Sequence, residues 1–277
     1  MAKLLIKTVG IVGIGLIGGS LAKDVRTFGL AQRIIGWNRT RAHADRALEL
    51  GLVDDVAESV EALIAQADLV VLAMPVNVLT EQLPKFLDSA RPGQVFIDVG
   101  STKMAVVNAV AQHPNRKAFV ACHPMAGTER SGPDAALDHL FRNRFTLIIN
   151  PEGSDPEALE RVTRLWEAVG SVLAMMDAET HDQTAALLSH MPHVLAYALA
   201  RTIKEAERNQ ALNARFAGGG LASMTRIAHS PISMWQPIFC QNKAFLLSAI
   251  DSFKEQLDAF RKAIDTDDNE LLNQLMK

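Results

Sequence analysis

One histidine, His123, stands where a short apolar run ends and a turn begins. The run covers residues 118–121, and Pro124 and Gly127 follow the histidine and interrupt the strand pattern. A titratable side chain at such a junction lies at the carboxyl edge of a sheet, where open α/β folds bind their ligands. Imidazole is also the side chain best suited to moving a proton near neutral pH. We therefore predict that His123 is an acid–base group beside a bound ligand.

Ser101 is a second polar residue at the same predicted edge. It follows another apolar strand in the segment Asp98-Val99-Gly100-Ser101-Thr102-Lys103. Serine is also a common helix N-cap, so a capping role and a site role are both open for it.

His190 and His193 are three apart in a predicted helix and therefore share a face. We take His190 as a candidate substrate-binding residue. A histidine in an apolar helix is more often a core residue, and this alternative is open for His190. Pro192 removes a backbone donor beside His193, which favours a site role there. We take the other histidines as structural or solvent-facing: His43, His113, His139, His181 and His229.

Arg226 follows the triple glycine 218–220, where the backbone can closely approach a ligand. We interpret Arg226 as an anion clamp, against the alternative of an ordinary surface arginine. A metal site formed by His190, His193 and Asp182 is a weaker hypothesis, since no strong ligand completes it with clear spacing. We expect no metal.

The chain begins with a glycine-rich turn, Gly13-Ile14-Gly15-Leu16-Ile17-Gly18, between a predicted strand and a predicted helix. The first glycine permits a tight turn, the second lets the backbone approach a pyrophosphate, and the third lets helix and strand pack closely. Amide groups at the helix N-terminus then face the anion. The flanking strand and helix make a dinucleotide site, with contacts also from Leu16 and Ile17, the favoured interpretation.

The end of the next predicted strand bears on the choice of dinucleotide. Enzymes that use NAD usually carry an acidic residue there for the ribose 2′-hydroxyl, whereas an arginine accommodates the 2′-phosphate of NADP. This chain has Asn38-Arg39-Thr40 and no carboxylate. We predict NADP, with NAD as the second choice; the alternative is that Arg39 is simply a solvated residue at a helix start.

The hydrophobic pattern predicts the elements that position these residues. Short β-branched runs alternate with helical patterns between residues 7 and 175, which is typical of a parallel sheet covered by helices. From residue 177 the strand signals stop and apolar residues recur at helical spacing. We predict an α/β Rossmann-like dinucleotide-binding domain over 1–176 and an all-α helical domain over 177–277. The predicted strands are 8–12, 33–37, 68–73, 95–99, 118–121, 145–150 and 172–175, and the predicted helical segments include 40–50, 76–87, 156–169, 178–209, 226–229 and 235–264.

Composition excludes several classes of protein. A net charge of −3 in 277 residues lacks the excess of basic residues that is typical of nucleic-acid-binding proteins. No apolar run is long enough to span a membrane. Two cysteines, Cys122 and Cys240, make a disulfide framework improbable and fit a reducing compartment. The glycines between Gly10 and Gly19 make a poor secretory signal. We expect a cytoplasmic protein.

Taken together, these segments resemble the prephenate/arogenate dehydrogenase family, the TyrA-type enzymes of tyrosine biosynthesis. The segments His123-Pro124-Met125-Ala126-Gly127 and Ser189-His190-Met191-Pro192-His193 carry the specific part of the resemblance, whereas many families share the glycine turn. The Asp98–Lys103 segment and the triple glycine followed by Thr225-Arg226 also match, and all of them occur in the family's order over nearly the whole chain.

The resemblance implies oxidative decarboxylation of prephenate or arogenate. It implies that His123 accepts the proton of the C4 hydroxyl, that Ser101 orients the reacting groups, and that Arg226 and His193 hold the carboxylates. It also implies pocket positions for Trp235, Thr128 and Glu129, and a homodimer formed by the C-terminal helices. Asn38-Arg39 departs from the NAD-dependent members and is similar to the NADP-dependent ones.

Two other functions are compatible with parts of the pattern. Another two-domain NADP-dependent dehydrogenase, of the hydroxyacid dehydrogenase or imine reductase type, would typically use a lysine in the second domain, and the His190–His193 helix contains none. A nucleotide-sensing module without catalysis would not need His123, Ser101 and Arg226. Preference for prephenate or arogenate is open.

Overall fold

The structure, a computed structural model, describes residues 6–210 and 212–277. Its strands form one eight-stranded sheet in the described part of the chain, in the order β3-β2-β1-β4-β5-β6-β7-β8. The strands are β1 (Ile6–Val12), β2 (Ala31–Trp37), β3 (Asp55–Val56), β4 (Leu69–Leu72), β5 (Val95–Asp98), β6 (Phe119–Pro124), β7 (Phe145–Ile149) and β8 (Val172–Met176).

Strands β1 to β6 run parallel, with Val9 of β1 aligned with Ile34 of β2 and Leu69 of β4. Strand β7 is antiparallel to β6, and β8 is parallel to β7. The connection reverses direction between β1 and β4, and the carboxyl ends of parallel strands on either side of such a point border a ligand crevice. The sheet therefore confirms the predicted dinucleotide-binding architecture.

Helices occupy both faces of the sheet and the C-terminal part of the chain. They are α1 (Leu16–Thr27), α2 (Arg41–Glu49), α3 (Val60–Gln66), α4 (Val76–Asp88), α5 (Met104–Ala109), α6 (Pro156–Ala168), α7 (Ala178–Ala185), α8 (Met191–Arg208), α9 (Gly219–Thr225), α10 (Ile232–Gln241), α11 (Lys243–Asp265) and α12 (Asn269–Leu275). The described C-terminal segments thus confirm the predicted change from α/β to helical structure.

The core consists of two buried clusters, one on each face of the sheet. Along β4 the side chains alternate, with Leu69 and Val71 in one cluster and Val70 and Leu72 in the other. This period of two, apolar on both sides, is what a strand covered by helices on both faces requires. Helices α1 and α6 contribute to the first cluster, and α3, α4 and α5 to the second.

Several elements differ from the prediction. Strand β3 has only two residues, too few for a periodic signal. The predicted helix 178–209 is interrupted by a π-helical segment, Ala186–His190, and the predicted segment 235–264 is broken at Asn242. Short helices were missed as well, because α3, α5, α9 and α12 have only six or seven residues each.

The chain divides into two compact units. The first contains the residues up to Asp182 together with His229–Gln241, and the second contains Gln183–Ala228 together with Asn242–Lys277. Because the first unit draws on two separate stretches, no single cut in the sequence describes the division. The domain boundary between residues 176 and 177 stays a prediction.

No helix in the described residues has both the length and the apolar character needed to cross a membrane.

Candidate active site

The glycine-rich turn follows β1 and depends on the absence of side chains at two positions. Gly13 has φ +98°, and a Cβ there would overlap the carbonyl oxygen of Ala73, which follows β4. A Cβ on Gly18 would overlap the carbonyl oxygen of Gly13. The turn therefore lies against β4 and places the start of α1 directly over the carboxyl edge of the sheet.

The start of α1 fits the pyrophosphate of a dinucleotide. Gly15 is the N-cap of α1, and a Cβ on it would meet nothing closer than the Gly132 nitrogen at 4.0 Å. Leu16 is buried and Ile17 packs against the core, so these two contribute backbone amides to the turn while their side chains anchor it. The first amides of a helix have no intrahelical acceptor, and they are the donors that an anion accepts there.

Asn38, at the end of β2, holds the glycine turn. Its Oδ1 accepts a hydrogen bond from the Ile14 amide at 3.0 Å, and its Nδ2 donates to the Ile14 carbonyl at 3.4 Å. Arg39 is exposed and makes no ion pair with any described residue, whereas Arg41 pairs with Asp45 at 2.8 Å. Thr40 is the exposed N-cap of α2 without a side-chain capping bond.

His123 lies within β6 and not after it, which corrects the predicted end of that strand. Residues 122–124 extend β6 beyond its predicted end because this part of the strand pairs with β7, so that His123 is opposite Leu147. The histidine still lies at the carboxyl end of β6, on the edge of the sheet that carries the glycine turn. It is 8% exposed.

Ser101 lies in the connection between β5 and α5, one strand away from His123, and is half-buried. The N-cap of α5 is Lys103 and not Ser101, so the capping alternative for the serine is wrong. The neighbouring Thr102 hydroxyl donates to Gln241 of α10 at 2.7 Å and anchors this connection.

A second histidine, His181, contacts His123 in the interior of the first unit. His181 Nε2 lies 2.8 Å from His123 Nδ1, and His181 Nδ1 lies 2.7 Å from Oδ1 of Asp182. Burial lowers the pKa of His181, more than the adjacent Asp182 raises it. His181 is therefore neutral at neutral pH.

The two carboxylate oxygens of Asp182 accept hydrogen bonds from backbone amides and contact His181. The amides of Lys103 and Met104 donate to its two oxygens at 2.8 and 3.0 Å, so this carboxylate also caps α5. Burial favours a raised pKa for Asp182, but the hydrogen bonds from His181, Met104 and Lys103 outweigh it and lower the pKa. The carboxylate is ionised, and its oxygens are occupied by donors, which contradicts the hypothesis of Asp182 as a metal ligand.

A buried ion pair lies beside these groups. The ammonium of Lys103 pairs with the carboxylate of Asp98, and both side chains are fully buried. Asp98 also accepts from the amides of Gly100 at 2.9 Å and Cys122 at 3.1 Å. The pair therefore joins the end of β5, the turn after it and the residue preceding His123.

Sequence reasoning missed His181, which it classed as structural or solvent-facing, and missed the roles of Asp98, Lys103 and Asp182. The available signal was the adjacent pair His181-Asp182. Burying an imidazole and a carboxylate costs free energy unless both groups have hydrogen-bond partners. Which histidine it would meet depends on tertiary structure.

The remaining predicted residues of the first unit lie in the loop after β6 and on α10. Thr128 is exposed in the loop after β6, where its Oγ1 accepts from the Arg130 amide at 3.2 Å, and Glu129 is half-buried. Trp235 on α10 is 6% exposed, with its ring 5.5 Å from that of Phe239.

The predicted residues of the second unit include one fully buried histidine. His190 Nδ1 accepts from Asn242 Nδ2 at 3.0 Å, a contact that favours the core alternative for His190. His193 is half-buried, and its Nδ1 lies 2.9 Å from the Ser189 carbonyl. Burial lowers the pKa of His193; the Ser189 contact opposes this, and the Arg226 charge lowers it further. Arg226, in the 3-10 helix Arg226–His229, is thus close enough to act on His193.

Models of two protein families match the chain. The model described as the nucleotide-binding domain of prephenate dehydrogenase matches residues 21–175, and that of the prephenate dehydrogenase dimerization domain matches residues 177–277. Together they account for most of the sequence.

Individual proteins agree with the family models. A prephenate dehydrogenase of Bacillus subtilis is 35% identical over 98% of this chain and 73% of its own length. A cyclohexadienyl dehydrogenase of Zymomonas mobilis is 31% identical over 96% of this chain and 91% of its own length. The crystal structure of prephenate dehydrogenase from A. aeolicus with hydroxyphenyl propionate and NAD+ has a TM-score of 0.89 at 33% identity, covering 98% of this chain and 95% of that one.

These similarities confirm the resemblance found in the sequence and disfavour the hydroxyacid dehydrogenase and imine reductase alternative. The match to a nucleotide-binding domain also agrees with the geometry of the glycine turn.

The Asp98–Lys103 pair yields a stability prediction. Lys103→Met leaves a buried carboxylate without its cation and should lower the free energy of unfolding by about 3–5 kcal/mol, measured by urea denaturation. Asp98→Asn in the same chain should recover part of this loss, because the uncompensated charge is then gone. Lys85→Met, at an exposed lysine 3.8 Å from Glu81, is the control and should change stability by less than ~1 kcal/mol. Equal effects of the two lysine substitutions would contradict the prediction.

Proposed function

The chain belongs to the prephenate dehydrogenase family, and we propose that it catalyses oxidative decarboxylation of a cyclohexadienyl substrate in tyrosine biosynthesis. The substrate is prephenate, arogenate or both, and the product is 4-hydroxyphenylpyruvate or tyrosine. The observation that carries this proposal is the position of His123, a partnered imidazole on the sheet edge that also bears the glycine turn.

The reaction requires little more than orientation and one proton acceptor. The substrate ring carries a hydroxyl at C4 and a carboxylate at C1. A hydride leaves C4 and the hydroxyl gives up its proton. The bond between C1 and the carboxylate breaks to release CO2, its electron pair makes the ring aromatic, and the phenolate oxygen then takes the proton back. When bound, the nicotinamide ring supplies the acceptor for the hydride. Aromatisation makes the overall step essentially irreversible.

His123 accepts the proton of the C4 hydroxyl as general base. A neutral imidazole accepts a proton at one nitrogen only, and the other nitrogen of His123 is held by His181 at 2.8 Å. Ser101, in the neighbouring connection, orients the hydroxyl or the imidazole.

Arg226 and His193 bind the carboxylates of the substrate. A guanidinium suits a carboxylate because its planar fork donates two parallel hydrogen bonds. The influence of Arg226 on His193 supports a shared role, since two donors close together serve one anion. Thr128, Glu129 and Trp235 contribute further pocket contacts. His190 was also predicted to bind substrate; its contact with Asn242 favours support of the helix that bears His193.

NADP is the proposed cofactor, with NAD as the second choice. Asn38 is occupied with the glycine turn, and no carboxylate stands at the end of β2 to repel a 2′-phosphate. Arg39 is exposed and makes no ion pair with the described residues, so its guanidinium can bind the phosphate.

The active form is proposed to be a cytoplasmic homodimer assembled through the C-terminal helices. Exposed apolar side chains in these helices support an interface with a second copy: Leu187, Leu188, Leu247, Leu257 and Ile264. The boundary near residue 176 would separate dinucleotide binding from substrate binding and dimerisation.

Turnover assays test the activity directly. We expect NADPH formation, followed by absorbance, when the enzyme receives NADP+ and prephenate or arogenate, with CO2 released in equal amount. A 3-hydroxyacid panel serves as the control for the alternative dehydrogenase types. Absence of turnover with both cyclohexadienyl substrates would overturn the proposal.

Replacing the proposed base tests the role of His123. His123→Asn should lower kcat by about 10²-fold or more with little change in substrate KM, because the amide cannot take up the proton. His113→Asn, at a half-buried histidine that contacts Asp88, is the matched control and should leave both parameters unchanged. An unaltered kcat in His123→Asn would remove the histidine from the mechanism.

Two neighbouring arginines test the cofactor preference. Arg39→Ala should raise the KM for NADP+ by roughly tenfold or more, the loss of one charged hydrogen-bonded contact, while the KM for NAD+ changes by less than about threefold. Arg41→Ala removes a similar surface charge that is already paired with Asp45, and should affect both dinucleotides little. Equal losses for NAD+ and NADP+ in Arg39→Ala would show that Arg39 does not meet the 2′-phosphate.

A further inference from the structure

The donors and acceptors around His181 determine where its proton lies. The Asp182 carboxylate is ionised and can only accept, so His181 Nδ1, at 2.7 Å, carries the proton and donates it. Because His181 is neutral, its Nε2 then has a lone pair and no proton.

This arrangement determines the tautomer of His123. His181 Nε2 accepts at 2.8 Å, so the donor must be the Nδ1–H of His123. A neutral His123 with its proton on Nδ1 has its basic lone pair on Nε2. In serine hydrolases a buried aspartate contacts the catalytic histidine directly and fixes its tautomer. Here a second imidazole, that of His181, lies between the carboxylate and the histidine.

We infer that His181, held by Asp182, is a positioning residue that makes Nε2 of His123 the nitrogen that takes the substrate's hydroxyl proton. The inference rests on the proposed function for the identity of that hydroxyl. In the step itself the hydroxyl O–H bond breaks and an N–H bond forms at Nε2 of His123. The positive charge that results is stabilised through His181 by the carboxylate of Asp182.

The other groups around the imidazole pair do not supply the negative charge that stabilises a protonated His123. Asp98 and Lys103, on β5 and the connection after it, are paired with each other. Burial raises the pKa of the Cys122 thiol, on β6, to about 12, so this neighbour is neutral. Leu147 of β7, opposite His123, has no charge. Among these groups, Asp182 is therefore the negative charge that directly contacts the imidazole pair, through His181 Nδ1 at 2.7 Å.

Substitutions at residue 181 separate positioning from packing. The amide of glutamine mimics Nε2 of histidine and can still accept from His123, whereas the shorter asparagine mimics Nδ1 and keeps only the contact with Asp182. We expect His181→Asn to lower kcat by roughly tenfold or more with KM values within about threefold, and His181→Gln to restore most of the rate. If both variants lost activity equally, or neither did, His181 would not position the base.

Asp182→Asn tests the charge. Removing the carboxylate should move the acid limb of the pH profile of kcat/KM to lower pH by about half a unit or more, because the protonated imidazole loses its counter-charge. A merely structural loss would lower the rate at every pH and leave the limb in place, and that result would contradict the inference.

Nuclear magnetic resonance of the histidine ring nitrogens gives a readout that needs no turnover. In the wild-type enzyme, His123 and His181 should both be Nδ1–H tautomers, with assignments from His123→Asn and His181→Gln. An Nε2–H tautomer of His123 would overturn the inference even in an active enzyme. The Nδ1–H pattern in an enzyme inactive toward prephenate and arogenate would instead overturn the proposed function alone.

Discussion

The arrangement of the site depends on the ion pair and the hydrogen bonds that the carboxylate of Asp98 makes. This carboxylate pairs with the buried ammonium of Lys103 and accepts from the amides of Gly100 and Cys122. A buried charge is tolerated only where its partners are complete, so these bonds hold the end of β5 and the strand before His123 together. The Lys103 amide in turn donates to Asp182, which holds His181. Ion pair and imidazole pair are thus parts of one polar network inside an apolar core.

The proposed base belongs to the sheet and not to a loop. His123 is in the part of β6 that pairs with β7, so hydrogen bonds to a neighbouring strand hold its backbone. A strand positions a side chain more accurately than a connecting segment does. The loop after β6, which carries Thr128 and Glu129, passes close to the start of α1, since the Gly132 nitrogen would lie 4.0 Å from a Cβ on Gly15. The sheet therefore places the proposed base, whereas Ser101 and the residues proposed for substrate contact lie on connections and helices.

Local pattern was sufficient for much of this fold. The glycine turn, seven of the strands and the change to helices after β8 all leave periodic or compositional signals that span several residues, and His123 was found from its place after one such signal. The two-residue β3 leaves none. The extension of β6 depends on pairing with β7, and the contact between His123 and His181 joins residues 58 apart in sequence. Such features arise from tertiary packing, which leaves no local pattern in a single sequence. The only sign of them was the presence of polar residues in apolar segments, Asp98, Lys103 and His181 among them.

The packing around β6 also determines the thiol chemistry of the protein. The sequence contains two cysteines, both free, and the buried one precedes His123. Burial raises the pKa of the Cys122 thiol to about 12, so the thiol stays protonated at neutral pH and reacts poorly with reagents that attack thiolates. Cys240, on α10, is exposed. An electrophilic dye or spin label would therefore attach at one position per chain, a ready-made reporter on the helix that also carries Trp235.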